Sequence, residues 1–170
     1  MIFVTETRSW VIPAAMSVTG LFVVKGKKAW PILIAIGLAV CLNDFICHSL
    51  LKEMFQRIRP CQAIELPHAI YNCSTSFSFP SNHASNSFTL ATLIALLNRN
   101  IAPLTFTLAG MVSISRVYLG VHYPTDILGG ATCGIVMGYF GFLFYQKISP
   151  FFWPSLQSGT CTQPLKKSSS

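Results

Sequence analysis

The chain has 170 residues, of which 52% are hydrophobic and only 10% carry a charge. Because a soluble domain normally has about a quarter of its residues charged, this composition predicts a single integral membrane domain. The net charge of +7 does not indicate nucleic-acid binding, since the basic residues stand at the ends of apolar segments without interleaved aromatics. The six cysteines lack CxxC spacing and therefore indicate neither a zinc site nor a disulfide-rich secreted fold.

Five apolar runs follow one another along the chain and are predicted to be transmembrane helices. They cover residues 10–24, 30–51, 84–97, 101–120 and 125–145. The first is shorter than the ~20 residues that a spanning helix usually needs, but a basic cluster follows it and no A-x-A site appears, which argues against a signal peptide. The predicted fold is an all-α integral membrane helix bundle of five transmembrane helices, with six as the alternative. This domain would occupy residues 1–147, and residues 148–170 would form a poorly ordered polar tail.

Polar residues interrupt the second run and fill the loop that follows it. Asn43, Asp44 and His48 lie in the second half of the run, where they either mark function or bond one another inside the bundle. The loop over residues 52–82 is too long and too mixed for a simple turn. It is therefore predicted to form a cap or a functional site.

The basic residues are divided unequally between the two sides of the predicted bundle. The side with more of them is expected to be cytoplasmic, so the loop over residues 52–82 faces outward, toward the periplasm of a bacterial inner membrane. An outward loop is compatible with a disulfide between Cys61 and Cys73, two free thiols being the alternative. The cytoplasmic side holds Lys25, Lys27, Lys28, Arg99, Lys147, Lys166 and Lys167, and the outer side holds Arg8, Lys52, Arg57, Arg59 and Arg116.

Residues 115–126, SRVYLGVHYPTD, hold an Arg, a His and an Asp between two apolar runs. Pro124 suits the first turn of a helix, so Asp126 would lie in that turn and could reach the ring of His122. A His held by a carboxylate beside an Arg is an oriented base or nucleophile at an anion site. In the alternative interpretation, Asp126 only caps the helix, His122 is an interfacial residue and Arg116 extends toward the membrane surface.

Two further segments bring charge and hydrogen-bond donors to the same membrane face. Lys52, Arg59 and Arg116 supply cations that can surround a phosphate, and Arg can bind it bidentately. Ser81 is a good N-cap, and the free N–H groups of the helix that follows form an anion site into which His83 would project. No carboxylate cluster is present to hold Mg²⁺ or Ca²⁺, so we expect Lys and Arg to neutralise the phosphate without a metal or other cofactor.

These segments resemble the three-part signature of the type 2 phosphatidic acid phosphatase (PAP2) superfamily. That family includes membrane lipid phosphatases and vanadium haloperoxidases, and the resemblance, which covers residues 52–126, implies a core like theirs. The matching segments are K-x6-RP (Lys52, Arg59, Pro60), PSxH (Pro80, Ser81, His83) and SR-x5-H-x3-D (Ser115, Arg116, His122, Asp126).

The resemblance implies a role for each matching residue. His122 would be the nucleophile that forms a phosphohistidine, Asp126 would orient it, and His83 would be the general acid. Without the resemblance, the residues leave open which of the two histidines attacks. Asn82 stands where the signature has Gly. Either it takes a positive φ and its amide adds a donor, or it is a harmless change at the first helical position. The phosphate would be bound by Lys52, Arg59, Ser81, Asn82 and Arg116, with Arg57 and Tyr123 as candidate substrate contacts.

The implied function is hydrolysis of a lipid-linked phosphate or pyrophosphate by a membrane-embedded enzyme. An outward site favours undecaprenyl diphosphate as the substrate. A lipid A 1-phosphatase is the alternative, followed by a phosphatase of phosphatidylglycerol phosphate or phosphatidic acid, because the motifs contact the phosphate and not the lipid. From another class, the alternative is a non-catalytic lipid-phosphate carrier or transporter that kept the anion site. The sequence does not specify an oligomeric state.

Overall fold

The computed structural model describes residues 19, 20, 23, 25–63 and 73–152, and every element in this part of the chain is helical. A 3₁₀ turn, Gly26–Lys28, leads into the first long helix, which passes through a π-helical segment, Ile46–Leu51. A second 3₁₀ turn, Arg99–Ile101, joins the fourth and fifth α-helices. The α-helices are α1 (Ala29–Phe45), α2 (Lys52–Phe55), α3 (Pro60–Ala63), α4 (Asn82–Leu97), α5 (Ala102–Tyr118) and α6 (Pro124–Phe152).

Three stretches of the described chain are long and apolar enough to cross a membrane: Gly26–Ala63, Arg99–Tyr118 and Pro124–Phe152. They contain the predicted second and fifth runs, and the fourth run except for its last two residues. The predicted third run lies in α4, which has 16 residues. The first predicted run, residues 10–24, lies almost wholly outside the described residues. Of the predicted tail, residues 148–170, the first five continue α6 as far as Phe152, so the prediction of a tail is wrong for them, and the rest lie outside the described residues.

Small residues let α6 pack closely against α4. The buried face of α6 below Asp126 consists of glycines only: Gly130, Gly134, Gly138 and Gly141. A Cβ atom on Gly138 would stand 2.6 Å from the carbonyl oxygen of Thr89 and 2.7 Å from the Cβ of Thr92. These glycines therefore allow the close backbone approach by which helices pack in a membrane.

Hydrogen bonds between side chains join α1 to α4. The Asn43 amide donates to Asn86 Oδ1 at 2.5 Å, and the Ser85 hydroxyl donates to Asn43 Oδ1 at 2.6 Å. Cys47 Sγ lies 3.4 Å from the Ser85 hydroxyl. Of the three polar residues singled out in the second run, Asn43 is thus a buried structural residue, whereas Asp44 and His48 are exposed.

We predict that Gly138→Ala lowers the thermal unfolding temperature of the detergent-solubilised protein. The added methyl group must displace the Thr89 carbonyl and the Thr92 side chain, and such overpacking costs ~1–3 kcal/mol. Gly110→Ala is the matched control, because a Cβ there meets nothing within 4 Å. Equal unfolding temperatures for the two variants would contradict this account of the α4–α6 packing.

Candidate active site

A sharp turn after α2 brings the arginines of the loop back over the helix ends. Gln56 has φ 43°, and it is the one non-glycine residue with a positive φ in the described part of the chain. Beyond it, the Ser78 N–H donates to the Arg57 carbonyl at 2.7 Å, which pairs the two arms of the loop. Cys61 and Cys73 form a disulfide with a Cα–Cα distance of 6.0 Å, which decides between the two alternatives that the sequence left open.

The first turn of α4 lies directly beside the first turn of α6. Ser81 is the N-cap of α4, as predicted, and its hydroxyl accepts from the Ala84 N–H at 3.5 Å. The Ser81 N–H in turn donates to the main-chain carbonyl of Asp126 at 3.1 Å. Because these two helix starts are joined, His83 in α4 and His122 just before α6 belong to the same end of the bundle.

Asp126 caps α6 and contacts His122 at the same time. Its Oδ2 accepts from the Tyr123 N–H at 2.9 Å, which is the reverse half of a capping box. The same oxygen lies 3.4 Å from His122 Nδ1 and accepts a hydrogen bond from the Ser78 hydroxyl. Ser78 Oγ is itself 3.5 Å from Nδ1. Asp126 therefore does more than cap the helix, because the same carboxylate also contacts His122.

The second ring nitrogen of His122 faces a buried cation. Arg59 Nη1 lies 3.3 Å from His122 Nε2 and donates to the Val121 carbonyl at 3.1 Å. The remaining guanidinium nitrogens of Arg59 donate to the carbonyl and the hydroxyl of Ser76, at 2.7 and 2.9 Å. When Nδ1 carries the ring proton toward Asp126, the lone pair of Nε2 points into the site.

Positive charge is concentrated around the two histidines. Lys52, Arg59 and Arg116 are all buried, at 5%, 6% and 3% exposure. The charges of Arg116, Lys52 and Arg59 all act on His83, and His83 itself is exposed to solvent. The cations therefore act on one common site.

His122 favours its neutral form. Burial lowers its pKa below the ordinary value, and the contact with Asp126 opposes this shift without cancelling it. The described residues contain no group of three or more His, Cys, Asp or Glu side chains that could hold a metal ion. What this arrangement offers is a neutral, oriented imidazole beside buried cations, which suits attack on a phosphate.

Arg57, a candidate substrate contact in the sequence, binds Asp126 in the structure. Its Nη1 donates to Asp126 Oδ1 at 2.8 Å and to the Thr125 hydroxyl at 2.6 Å. Its guanidinium stands 4.0 Å from the centre of the Tyr123 ring, so Tyr123, the other predicted contact, packs against Arg57. Arg57 therefore binds the Asp126 carboxylate, which in turn contacts the ring of His122.

Two serines of the site were missed by the sequence analysis. Ser76 binds Arg59, and Ser78 binds Asp126. The signal was present in the alternation SFSFP before the PSxH segment, since in an extended chain every second side chain faces the same way.

Asn82 occupies the first position of α4 with an ordinary helical backbone, so the positive φ considered for it is absent. Its amide donates to Asp44 Oδ1 at 2.8 Å. This side-chain donor is thus directed to Asp44, and the proposed contribution of Asn82 to phosphate binding rests on its backbone N–H.

Comparisons with known proteins agree with this geometry. Residues 28–150 match the model of the PAP2 superfamily. Phosphatidylglycerophosphatase B of Bacillus subtilis is 35% identical over 136 residues, which cover 74% of this chain and 63% of that protein. Lipid A 4'-phosphatase of Bacteroides thetaiotaomicron is 38% identical over 127 residues, which cover 70% of this chain and 55% of that protein. The chain thus spans less than two thirds of the length of these relatives.

A solved structure shares the fold. The crystal structure of a transmembrane PAP2-type phosphatidylglycerolphosphate phosphatase from Bacillus subtilis superposes with a TM-score of 0.61. The two are 29% identical in sequence, and the match covers 82% of this chain and 71% of that one.

We predict that Arg57→Ala lowers the unfolding temperature at neutral pH, because it leaves the buried Asp126 carboxylate without its charged partner. A hydrogen bond to a charged group contributes ~1.5–3 kcal/mol, and partial exposure of Arg57 places the loss at the lower end of this range. Arg99→Ala, which removes an exposed arginine at the other end of the bundle, is the control. A loss no greater than that of the control would show that Arg57 does not stabilise Asp126.

Proposed function

This chain belongs to the PAP2 superfamily, and we propose that it is a lipid phosphatase in which His122 attacks the phosphate of a membrane lipid. The observation that carries this proposal is the pair of contacts on the His122 ring. Nδ1 lies 3.4 Å from Asp126 Oδ2, and Nε2 lies beside the buried Arg59 guanidinium. This pairing favours the tautomer that carries its proton on Nδ1 and leaves Nε2 unprotonated for the proposed attack.

The proposed reaction has two displacements at phosphorus. In the first, Nε2 of His122 forms a bond to phosphorus while the bond to the oxygen of the lipid breaks, and His83 gives that oxygen its proton. In the second, water attacks the phosphohistidine, His83 takes a proton from the water, and the phosphorus–nitrogen bond breaks to release phosphate. The Nδ1 proton stays on the ring throughout, held by Asp126.

The charge on the phosphate oxygens is balanced by protein groups in this proposal. Lys52, Arg59 and Arg116 are the cations, and the N–H groups of the first turn of α4, after Ser81, are the dipolar donors. Arg59 contacts Nε2, so a phosphate bound to Arg59 would lie against the proposed nucleophile. Catalysis would then rest on positioning and on fixed positive charge.

The chain is a multi-pass membrane protein. We propose that it has five spans, which are the three found together with α4 and residues 10–24. We also propose that the site faces outward from a bacterial inner membrane. The charge distribution of the loops supports this orientation. A lipid would enter sideways between helices and leave its chains in the bilayer.

The identity of the lipid is a separate proposal. The sequence favoured undecaprenyl diphosphate, with lipid A phosphate, phosphatidylglycerol phosphate and phosphatidic acid as alternatives. Two relatives named for different lipids are 35% and 38% identical to this chain. Such similar values do not rank the candidates, so all four belong in the substrate panel.

We predict that His122→Ala abolishes phosphate release from the panel, by ~10⁴-fold or more, while lipid binding is retained. Retained binding and an unchanged unfolding temperature are the controls for folding. Unchanged release would exclude His122 as the nucleophile. If the wild-type protein binds these lipids and releases no phosphate from any of them, the alternative of a non-catalytic carrier is correct.

We predict that binding of inorganic phosphate at about pH 8, where it is a dianion, takes up about one proton per site, because a dianion beside His83 favours the charged imidazole. An ordinary histidine has a pKa of about 6.5 and is neutral at pH 8, so the proton must be acquired on binding. Calorimetry in buffers of different ionisation enthalpy measures this uptake. The uptake should vanish in His83→Asn, and equal uptake in that variant would exclude His83 as the acid.

A further inference from the structure

A cavity of about 490 Å³ opens beside the proposed phosphate site. It lies against the second half of α1 and its π-helical extension, with one wall from α4. None of the proposed catalytic or phosphate-binding residues lines it. The residues that line it include Asp44, His48, Ser49 and Asn86, together with the apolar Val40 and Phe45.

Asp44 ties this cavity to the phosphate site. Its Oδ1 accepts from the Asn82 amide at 2.8 Å and from the Asn86 amide at 3.4 Å. Asn82 stands between Ser81 and His83, so the carboxylate is anchored to the turn that would hold the phosphate. Asp44 is also close enough to Lys52 for their opposite charges to interact.

The wall beneath Asp44 is fixed by buried hydrogen bonds. Asn86 accepts from Asn43 at 2.5 Å, and Asn43 accepts from the Ser85 hydroxyl at 2.6 Å. Side-chain networks of this kind hold polar groups in one geometry. Asp44 itself remains exposed toward the cavity, so its carboxylate can still accept hydrogen bonds from a ligand.

The chemistry of the lining selects among ligands. It combines a carboxylate, an imidazole, a hydroxyl and an amide, and among the described residues no lysine or arginine lines it. A carboxylate accepts hydrogen bonds from hydroxyl groups and repels a second phosphate, because like charges at short range disfavour each other. The phosphate site and this cavity therefore differ in the groups that they accept.

We propose that this cavity binds the hydroxyl-bearing carrier group next to the reacting phosphate, and that Asp44 makes the protein selective for phosphate monoesters of such carriers. The inference rests on the proposed phosphatase function and names its substrate class. A lipid A phosphate offers sugar hydroxyls, and phosphatidylglycerol phosphate offers one glycerol hydroxyl next to the reacting phosphate, with its phosphodiester beyond that hydroxyl. Phosphatidic acid offers no hydroxyl, and undecaprenyl diphosphate places a second phosphate directly next to the reacting one. Undecaprenyl diphosphate, which the sequence favoured, thus becomes the disfavoured substrate.

The test compares kcat/KM for these four lipids in detergent micelles, with wild-type protein and Asp44→Asn. Asp44→Asn keeps the size of the side chain and removes its charge. We expect about a tenfold loss toward the two hydroxyl-bearing lipids, the effect of losing a charged hydrogen-bond partner. We also expect no change for phosphatidic acid and a gain for undecaprenyl diphosphate. Glu53→Gln, the same change at an exposed carboxylate in α2, is the matched control and should alter none of these values.

A second variant keeps the test decisive if Asp44→Asn folds poorly. His48→Ala changes an exposed cavity residue and should cause the same selective loss toward the hydroxyl-bearing lipids. An equal loss toward all four lipids in both variants, or no loss in either, would overturn the proposed selectivity while the phosphatase function stands. No phosphate release from any lipid by the wild-type protein would instead refute the phosphatase function, and the inference with it.

Discussion

One buried carboxylate, that of Asp126, joins the parts of this site. Its Oδ2 accepts from the Tyr123 N–H and from Ser78 and faces His122, while its Oδ1 accepts from Arg57. A buried charge without such partners would be very costly, so the folded loop and the helix start depend on each other. The orientation of the His122 ring follows from this arrangement.

The bundle beneath the site supports this arrangement by close backbone packing. Glycines on the buried face of α6 let it approach the carbonyl groups of α4, and the Ser81 N–H reaches the carbonyl of Asp126. A polar network between α1 and α4 then fixes the wall that carries Asp44. The two histidines and the neighbouring cavity are thus placed by contacts among α1, α4 and α6, and the cations are added from α2, the loop after it and α5.

The sequence predicted the parts of the site whose spacing is local. Ionisable residues are rare in an apolar chain, so the signature could be recognised. The N-cap Ser81, the helix start at Pro124 and the glycine face of α6 all follow local rules. The contacts of Arg57 with Asp126 and of Asn82 with Asp44 could not be predicted. The partners are separated in sequence by 69 positions in the first pair and by 38 in the second. Spacing carries no information on which of several nearby donors a carboxylate will bind.

The most direct test is to quench the wild-type protein rapidly during turnover of a lipid that carries labelled phosphate. Because a nitrogen–phosphorus bond is acid-labile, the quench and the digestion must be alkaline. The account predicts label on the peptide that contains His122, with phosphorus-31 NMR placing it on Nε2, and none in His122→Ala. Turnover with label on another residue, or turnover by His122→Ala, would contradict it.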